Sequence, residues 1–115
     1  MKINLRKIIE TSIDAKTKML NVNLEAIDNA CKLMLGSVNG GNKILWCGNG
    51  GSAADSQHMS AELMGGLRSH TRDPIPSIAL STDSSFLTAW SNDTSFDDIF
   101  SRQIEGIGLP GDILV

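Results

Sequence analysis

Hydrophobic positions along the chain alternate between helical and strand-like spacing. Ile3, Leu5, Ile8, Ile9, Ile13, Met19 and Leu20 recur at mostly helical spacing with polar residues between them, which predicts a helix from residue 3 to about residue 20. Leu24, Ile27, Ala30, Cys31, Met34 and Leu35 predict a second helix. Asn39-Gly40-Gly41 ends it, because glycine accepts the left-handed backbone that follows a helix terminus. The period then shortens: Lys43 to Cys47 reads as a buried strand and leads into a glycine cluster. Residues 52 to about 67, rich in Ala, Met and Leu, read as a helix. Arg68 to Pro76 is a polar loop with two prolines, and Ser77 to Ser81 is a second strand. Ser84 to about Trp90 and Phe96 to Ile107 have helical spacing. Gly108-Leu109-Pro110-Gly111 is a turn, and Asp112 to Val115 opens a third strand.

The order α-α-β-α-β-α-α-β implies an α/β fold, a parallel sheet with helices on both faces. The 115 residues suit one domain, with N-terminal helices over 1–40 and the sheet beginning at 43. In such sheets ligands sit at the carboxyl ends of strands. Ile113, Leu114 and Val115 suit a covered sheet position, yet nothing follows them. The expectation is therefore an incomplete domain: a fragment lacking its C-terminal portion, or a domain completed by another polypeptide.

Composition narrows the function classes. A formal net charge of -3 argues against a nucleic-acid module, which is usually basic. Cys31 and Cys47 have neither metal nor redox spacing, so a reducing cytoplasm is expected. MKINLRKIIETS has no signal-peptide core, and no run approaches the roughly 18 apolar residues of a membrane span.

The chemistry concentrates after the first strand, in ILWCGNGGSAADS. Glycines at 48, 50 and 51 allow a sharp turn and a close approach of backbone to ligand. Backbone N–H groups and the helix dipole there favour an anion, with Ser52 as N-cap and a possible phosphate donor. A plain strand-to-helix turn explains the same residues. A P-loop is excluded, since no lysine follows the glycines. The dinucleotide pattern is formally met by Gly48, Gly50 and Ala53. The acidic residue it wants about 20 residues on falls in the Arg72-Asp73-Pro74 loop, and Asp83 lies too far along, so a dinucleotide ranks low.

On the following helix, His58 and Glu62 lie four apart and share a face. Imidazole and carboxylate are zinc donors, and the carboxylate is equally a candidate general base. A solvated surface pair is the plain alternative. Their place after the loop would let them face the same pocket. Asn92-Asp93, expected just after the helix that follows the second strand, offers groups for sugar hydroxyls or forms a simple turn. Trp46 and Trp90 suit the core or a subunit contact, Cys47 is a small packed residue, and His70 is a solvated loop residue.

Taken together, CGNGGSAADSQHMSAELMGG, IALSTDSSFLTAWSND and FDDIFSRQIEGIGLPGDILV resemble the phosphoheptose isomerase (sedoheptulose 7-phosphate isomerase) family, which has the SIS, or sugar isomerase, fold. The resemblance runs through nearly the whole chain and is weakest before residue 40. It implies a Rossmann-like sandwich assembled as a homotetramer, with the N-terminal helices between subunits. It implies interconversion of sedoheptulose 7-phosphate and D-glycero-D-manno-heptose 7-phosphate, supplying heptose to lipopolysaccharide or capsule. Carried onto this chain, Asn49, Gly50 and Gly51 match substrate-contacting positions, and Ser52 matches a neighbour of the phosphate. His58 and Glu62 match zinc ligands, one ion per site, Glu62 also matching the residue that moves the proton and contacts substrate. Asn92 and Asp93 match further substrate contacts. The family's later segment carries a Ser/Thr-rich phosphate loop and a Gln and a His that complete the metal site. Those are not in this sequence, so the chain alone is expected not to isomerise the sugar at a normal rate. Similar SIS proteins that bind the replication initiator DnaA generally lack a glutamate at the position of Glu62. A sugar-phosphate sensor and an amino-sugar isomerase are the remaining alternatives.

Overall fold

A computed structural model describes residues 4–115; Ile3, included in the first predicted helix, lies outside them. The helix α1 runs Leu5–Val22, opened by Asn4, whose side chain accepts from the Lys7 amide at 3.1 Å. Helix α2 runs Leu24–Asn39 and stops at the predicted glycine pair. The chain divides into two compact units, with the boundary inside α2 after Leu33.

In the first unit, α1 buries none of its residues. Its polar positions form Arg6–Glu10 and Lys18–Asp14 pairs one turn apart, both well exposed and worth little each.

The second unit is a three-stranded parallel sheet in the order β2-β1-β3, where β1 is Ile44–Trp46, β2 is Ser77–Ala79 and β3 is Ile113–Leu114. The central strand is apolar and fully buried, as a strand flanked on both edges requires. Leu45 pairs with Ile78 on one side and Leu114 on the other. Ladder bonds continue past the strand ends, from Leu80 N to Trp46 O (2.8 Å) and from Cys47 N to Val115 O (2.9 Å), which accounts for the longer strands expected from the apolar runs. Ile44, Leu45, Trp46, Ala79, Leu80 and Ile99 form the core. Trp46 is a core residue whose indole N–H reaches the buried Ser77 hydroxyl at 2.8 Å, so its polar atom is satisfied inside.

Helix α3 spans Gly51–Gly65 and packs on β1 and β2. Its buried residues are Ser56 and Ser60, four apart. Small side chains on one stripe let the helix lie close to the sheet, and Ser56 satisfies its hydroxyl on the Ser52 carbonyl at 2.7 Å. Helix α4 spans Ser84–Asp93, capped by Asp83 on the Phe86 amide at 2.9 Å. The predicted Phe96–Ile107 helix is two pieces, a 3-10 turn over Phe96–Asp98 and helix α5 over Ser101–Ile107. Ser95 caps the tight first piece on the Asp97 amide, and a hydroxyl cap there favours a short turn. The Gln103 side chain then ties α5 to β2, donating to Leu80 O at 2.9 Å and Ile99 O at 2.8 Å. Among the described residues no helix is long and apolar enough to cross a membrane.

Candidate active site

The glycine loop sits at the carboxyl end of β1, where a parallel sheet places its ligands. Gly48 has no room for a side chain. A Cβ there would stand 2.6 Å from the Ser52 Cβ and 2.8 Å from its backbone carbon. Gly50 takes φ 59°, a conformation that L side chains rarely adopt. That left-handed step starts α3 earlier than expected. The N-cap is Gly50, not Ser52: Ala53 N and Ala54 N already bond Gly50 O, and Ser52 lies in the first helical turn.

Beside the loop opens a cleft of about 530 Å³. Gly48, Asn49, Gly50 and Ala53 form one side, and Thr88, Ser91 and Asn92 of α4 another. Ser81, two residues past β2, also lines it, and its hydroxyl donates to Ala53 O in the first turn of α3 at 3.3 Å. Leu87, Ile99, Phe100 and the exposed Phe96 supply apolar lining. Polar groups beside an apolar wall suit a small polar ligand with a carbon skeleton.

Asn49, Gly50 and Asn92 are thus gathered at one cleft, whereas Gly51, Ser52, Asp93, His58 and Glu62 are not among its lining residues. Asn92 and Asp93 do not follow α4 but form its last turn, because the helix runs three residues past Trp90. The Asn92 side-chain Nδ2 donates to Asp93 Oδ1 at 2.7 Å, so the two side chains meet beside the cleft.

His58 and Glu62 are not among the residues that line this cleft, so within the described residues the cleft alone does not make up the one pocket expected for all of these groups. They meet one turn apart on α3, His58 Nε2 to Glu62 Oε1 at 3.1 Å, with Glu62 the less exposed of the two. Ser56 and Ser60 occupy the stripe turned to the sheet, which leaves this pair on a more open face.

The donor chemistry fits zinc along one edge. An imidazole nitrogen and a carboxylate oxygen are both zinc donor types, and here the two donor atoms lie side by side. Among the described residues no group of three His, Cys, Asp or Glu side chains gathers, whereas zinc sites take at least three protein donors. The pair therefore fits part of a zinc site.

Pattern reading missed Ser81, Thr88 and the lining from Phe96 and Phe100. The four-residue spacing of the two phenylalanines was a signal, but it reads equally as core. Trp90 stacks on Phe86 at 5.9 Å and lies under the Arg102 guanidinium at 5.0 Å, outside the cleft lining. Cys47 is half-buried, and His70 is exposed in its loop.

The SIS domain family pattern matches residues 9–115. Phosphoheptose isomerases of Shewanella sp. (strain ANA-3) and Shewanella baltica (strain OS185) are 50% identical to this chain over all 115 residues. The structure of phosphoheptose isomerase from Neisseria gonorrhoeae matches 96% of the chain with a TM-score of 0.86 at 41% identity. One from Francisella tularensis matches 96% with a TM-score of 0.90 at 36% identity. The chain spans about half the length of these relatives, 56% of the Shewanella proteins and 56% and 57% of the two solved chains. A family match over nearly the whole chain, joined to a parallel sheet with a glycine loop at its carboxyl edge, means that this chain belongs to the SIS domain family.

Proposed function

We propose that this chain supplies one wall of a sugar-phosphate isomerase site that interconverts sedoheptulose 7-phosphate and D-glycero-D-manno-heptose 7-phosphate. The observation that carries the reading is the 50% identity, over all 115 residues, to proteins named phosphoheptose isomerase. The rim at Asn49, Gly50 and Asn92 offers hydrogen-bonding groups for a polyol at the edge of the parallel sheet, which supports the same reading. Gly51, Ser52 and Asp93 are proposed as further substrate contacts.

Isomerisation between a ketose and an aldose moves a proton between adjacent carbons through an enediol. Glu62 is proposed as the group that takes and returns it, with His58 beside it as a zinc donor. Zinc, when bound, would polarise the carbonyl. Binding energy from the remote phosphate would hold the reacting carbons in register. The further zinc donors and the phosphate loop are proposed to come from the part of the relatives' length that this chain does not span. Charged sugar phosphates are held inside the cell by membranes, so the proposed compartment is the cytoplasm. The product would supply heptose for lipopolysaccharide or capsule.

The decisive variant is Glu62→Gln in a full-length protein carrying this chain. It is expected to lower turnover about 10²–10⁴-fold, the usual contribution of a positioned proton-transfer group, while substrate still binds. Turnover at the parent rate would remove Glu62 from the chemistry.

A further inference from the structure

Arg72 lies in the loop between α3 and β2 and reaches back to the helix end. Its Nη2 donates to Glu62 O at 2.6 Å and to Leu63 O at 2.7 Å, and its Nη1 donates to Asp73 O at 2.8 Å. All of these acceptors are backbone carbonyls, and among the described residues Arg72 has no carboxylate partner within 4.0 Å. Its charge therefore meets the negative end of the α3 dipole.

The last carbonyls of a helix have no intrahelical donor, and that turn is usually the first to fray. Here Glu62 O accepts from Gly66 N at 3.0 Å, Leu67 N at 3.2 Å and Arg72, and Leu63 O accepts from Ile75 N at 3.1 Å as well as from Arg72. One guanidinium nitrogen thus bridges two consecutive carbonyls of the turn that carries Glu62. An arginine fork is suited to this, since its donors are held in one plane.

We infer that Arg72 is a positioning residue for Glu62, holding the backbone from which the carboxylate reaches His58. The inference rests on the reading of Glu62 as proton-moving group and zinc donor. A bond to its own peptide carbonyl fixes the Cα–Cβ direction of Glu62 and leaves the carboxylate free for chemistry. Supporting residues of this kind typically change metal affinity or activity by about 10–100-fold when lost.

The test uses the chain itself with Arg72→Met, which removes the donors and keeps much of the volume, and Arg72→Lys, which restores a cation. At one fixed pH, two signals are read: amide exchange at Gly66 and Leu67, and the nitrogen resonances of the His58 ring. Arg72→Met is expected to speed exchange at both amides about tenfold, an opening of the local turn. It is expected to move the His58 signals toward those of Glu62→Gln. Arg72→Lys should recover part of both effects. Faster exchange with unmoved His58 signals would make Arg72 a helix cap and nothing more, overturning the inference. So would His58 signals that Glu62→Gln itself fails to shift. If Arg72→Met does not fold, Arg72→Gln is measured against the same two outcomes. Zinc titrated into full-length proteins carrying this chain tests the premise separately. A full-length parent that binds no zinc ends the metal reading while the exchange and His58 signals still decide the role of Arg72. Where it binds zinc, an Arg72→Met affinity equal to that of the parent would overturn the inference.

Discussion

Gly48 and Gly51 stand three residues apart in one loop and answer to different constraints. A methyl at 48 would press on the Ser52 Cβ and on Ser52 backbone, which has no flexible end to swing away. Gly48→Ala is therefore expected to destabilise the chain by about 1–3 kcal/mol, the usual cost of forcing atoms into a filled site. At Gly51 nothing lies within 4 Å and the residue is the first of α3. Gly51→Ala is expected to be neutral or to stabilise by up to about 1 kcal/mol through the unfolded chain. Thermal unfolding of the two variants checks the contrast; equal losses would refute it. The presence of a glycine loop between the first strand and a helix was legible from its residues. Which glycine was obligatory was not, because the reason for Gly48 is the Ser52 side chain folded back over it. Ser52 itself was misplaced as the cap, since spacing does not show that Gly50 takes a left-handed step.

At the scale of elements, a half-buried ion pair between the residues that precede β1 and β3 adds to the ladder bonds that join the two strands. Lys43 Nζ lies 2.5 Å from Asp112 Oδ2, the Lys43 amide donates to Asp112 Oδ1 at 3.0 Å, and the Leu109 amide donates to Oδ2 at 2.7 Å. These bonds, led by the Lys43 ammonium, lower the Asp112 pKa from 3.8 to about 2 against the opposing effect of burial. A carboxylate with a lowered folded pKa adds stability that is present above its unfolded value and is lost as the pH falls through the folded one. The melting temperature is thus expected to drop between about pH 4 and pH 2 with a component due to Asp112. Asp112→Asn should lower stability at neutral pH and flatten that part of the profile; a profile of unchanged slope would remove the pair as its cause. Order and type of the elements were legible because apolar runs mark buried strands whatever surrounds them. Boundaries were less so. The break after Asp98 depends on a Ser95 cap, and the last turn of α4 carries Ser91, Asn92 and Asp93, residues whose polarity suggests a loop. The ion pair joins positions 69 apart in sequence, and no local pattern announces such a contact.

At the scale of the whole molecule, α1 poses the question of what else the chain meets. Leu5, Ile9, Ile13 and Leu20 recur along one stripe of the helix, and each is more than half exposed. Scattered apolar residues are ordinary on a surface, but a stripe that recurs along an 18-residue helix, broken at Lys16, suits a surface for another protein. We propose that this partner is a second copy of the chain, in the homotetramer built through N-terminal helices that the family resemblance implies. Association of such helices rests on apolar burial, at roughly 25 cal/mol for each Å² removed from water. Two lysines on the stripe would oppose it both by lost burial and by placing like charges together. Ile9→Lys combined with Ile13→Lys is therefore expected to reduce the assembly to single chains, read as mass by light scattering. The cleft is lined by residues from Gly48 onward, so the folded sheet unit should keep its core, seen as an unchanged near-ultraviolet spectrum from Trp46 and Trp90. An assembly of undiminished mass would mean that copies associate through another surface. A parent chain that is already single would remove the self-association reading of α1 altogether.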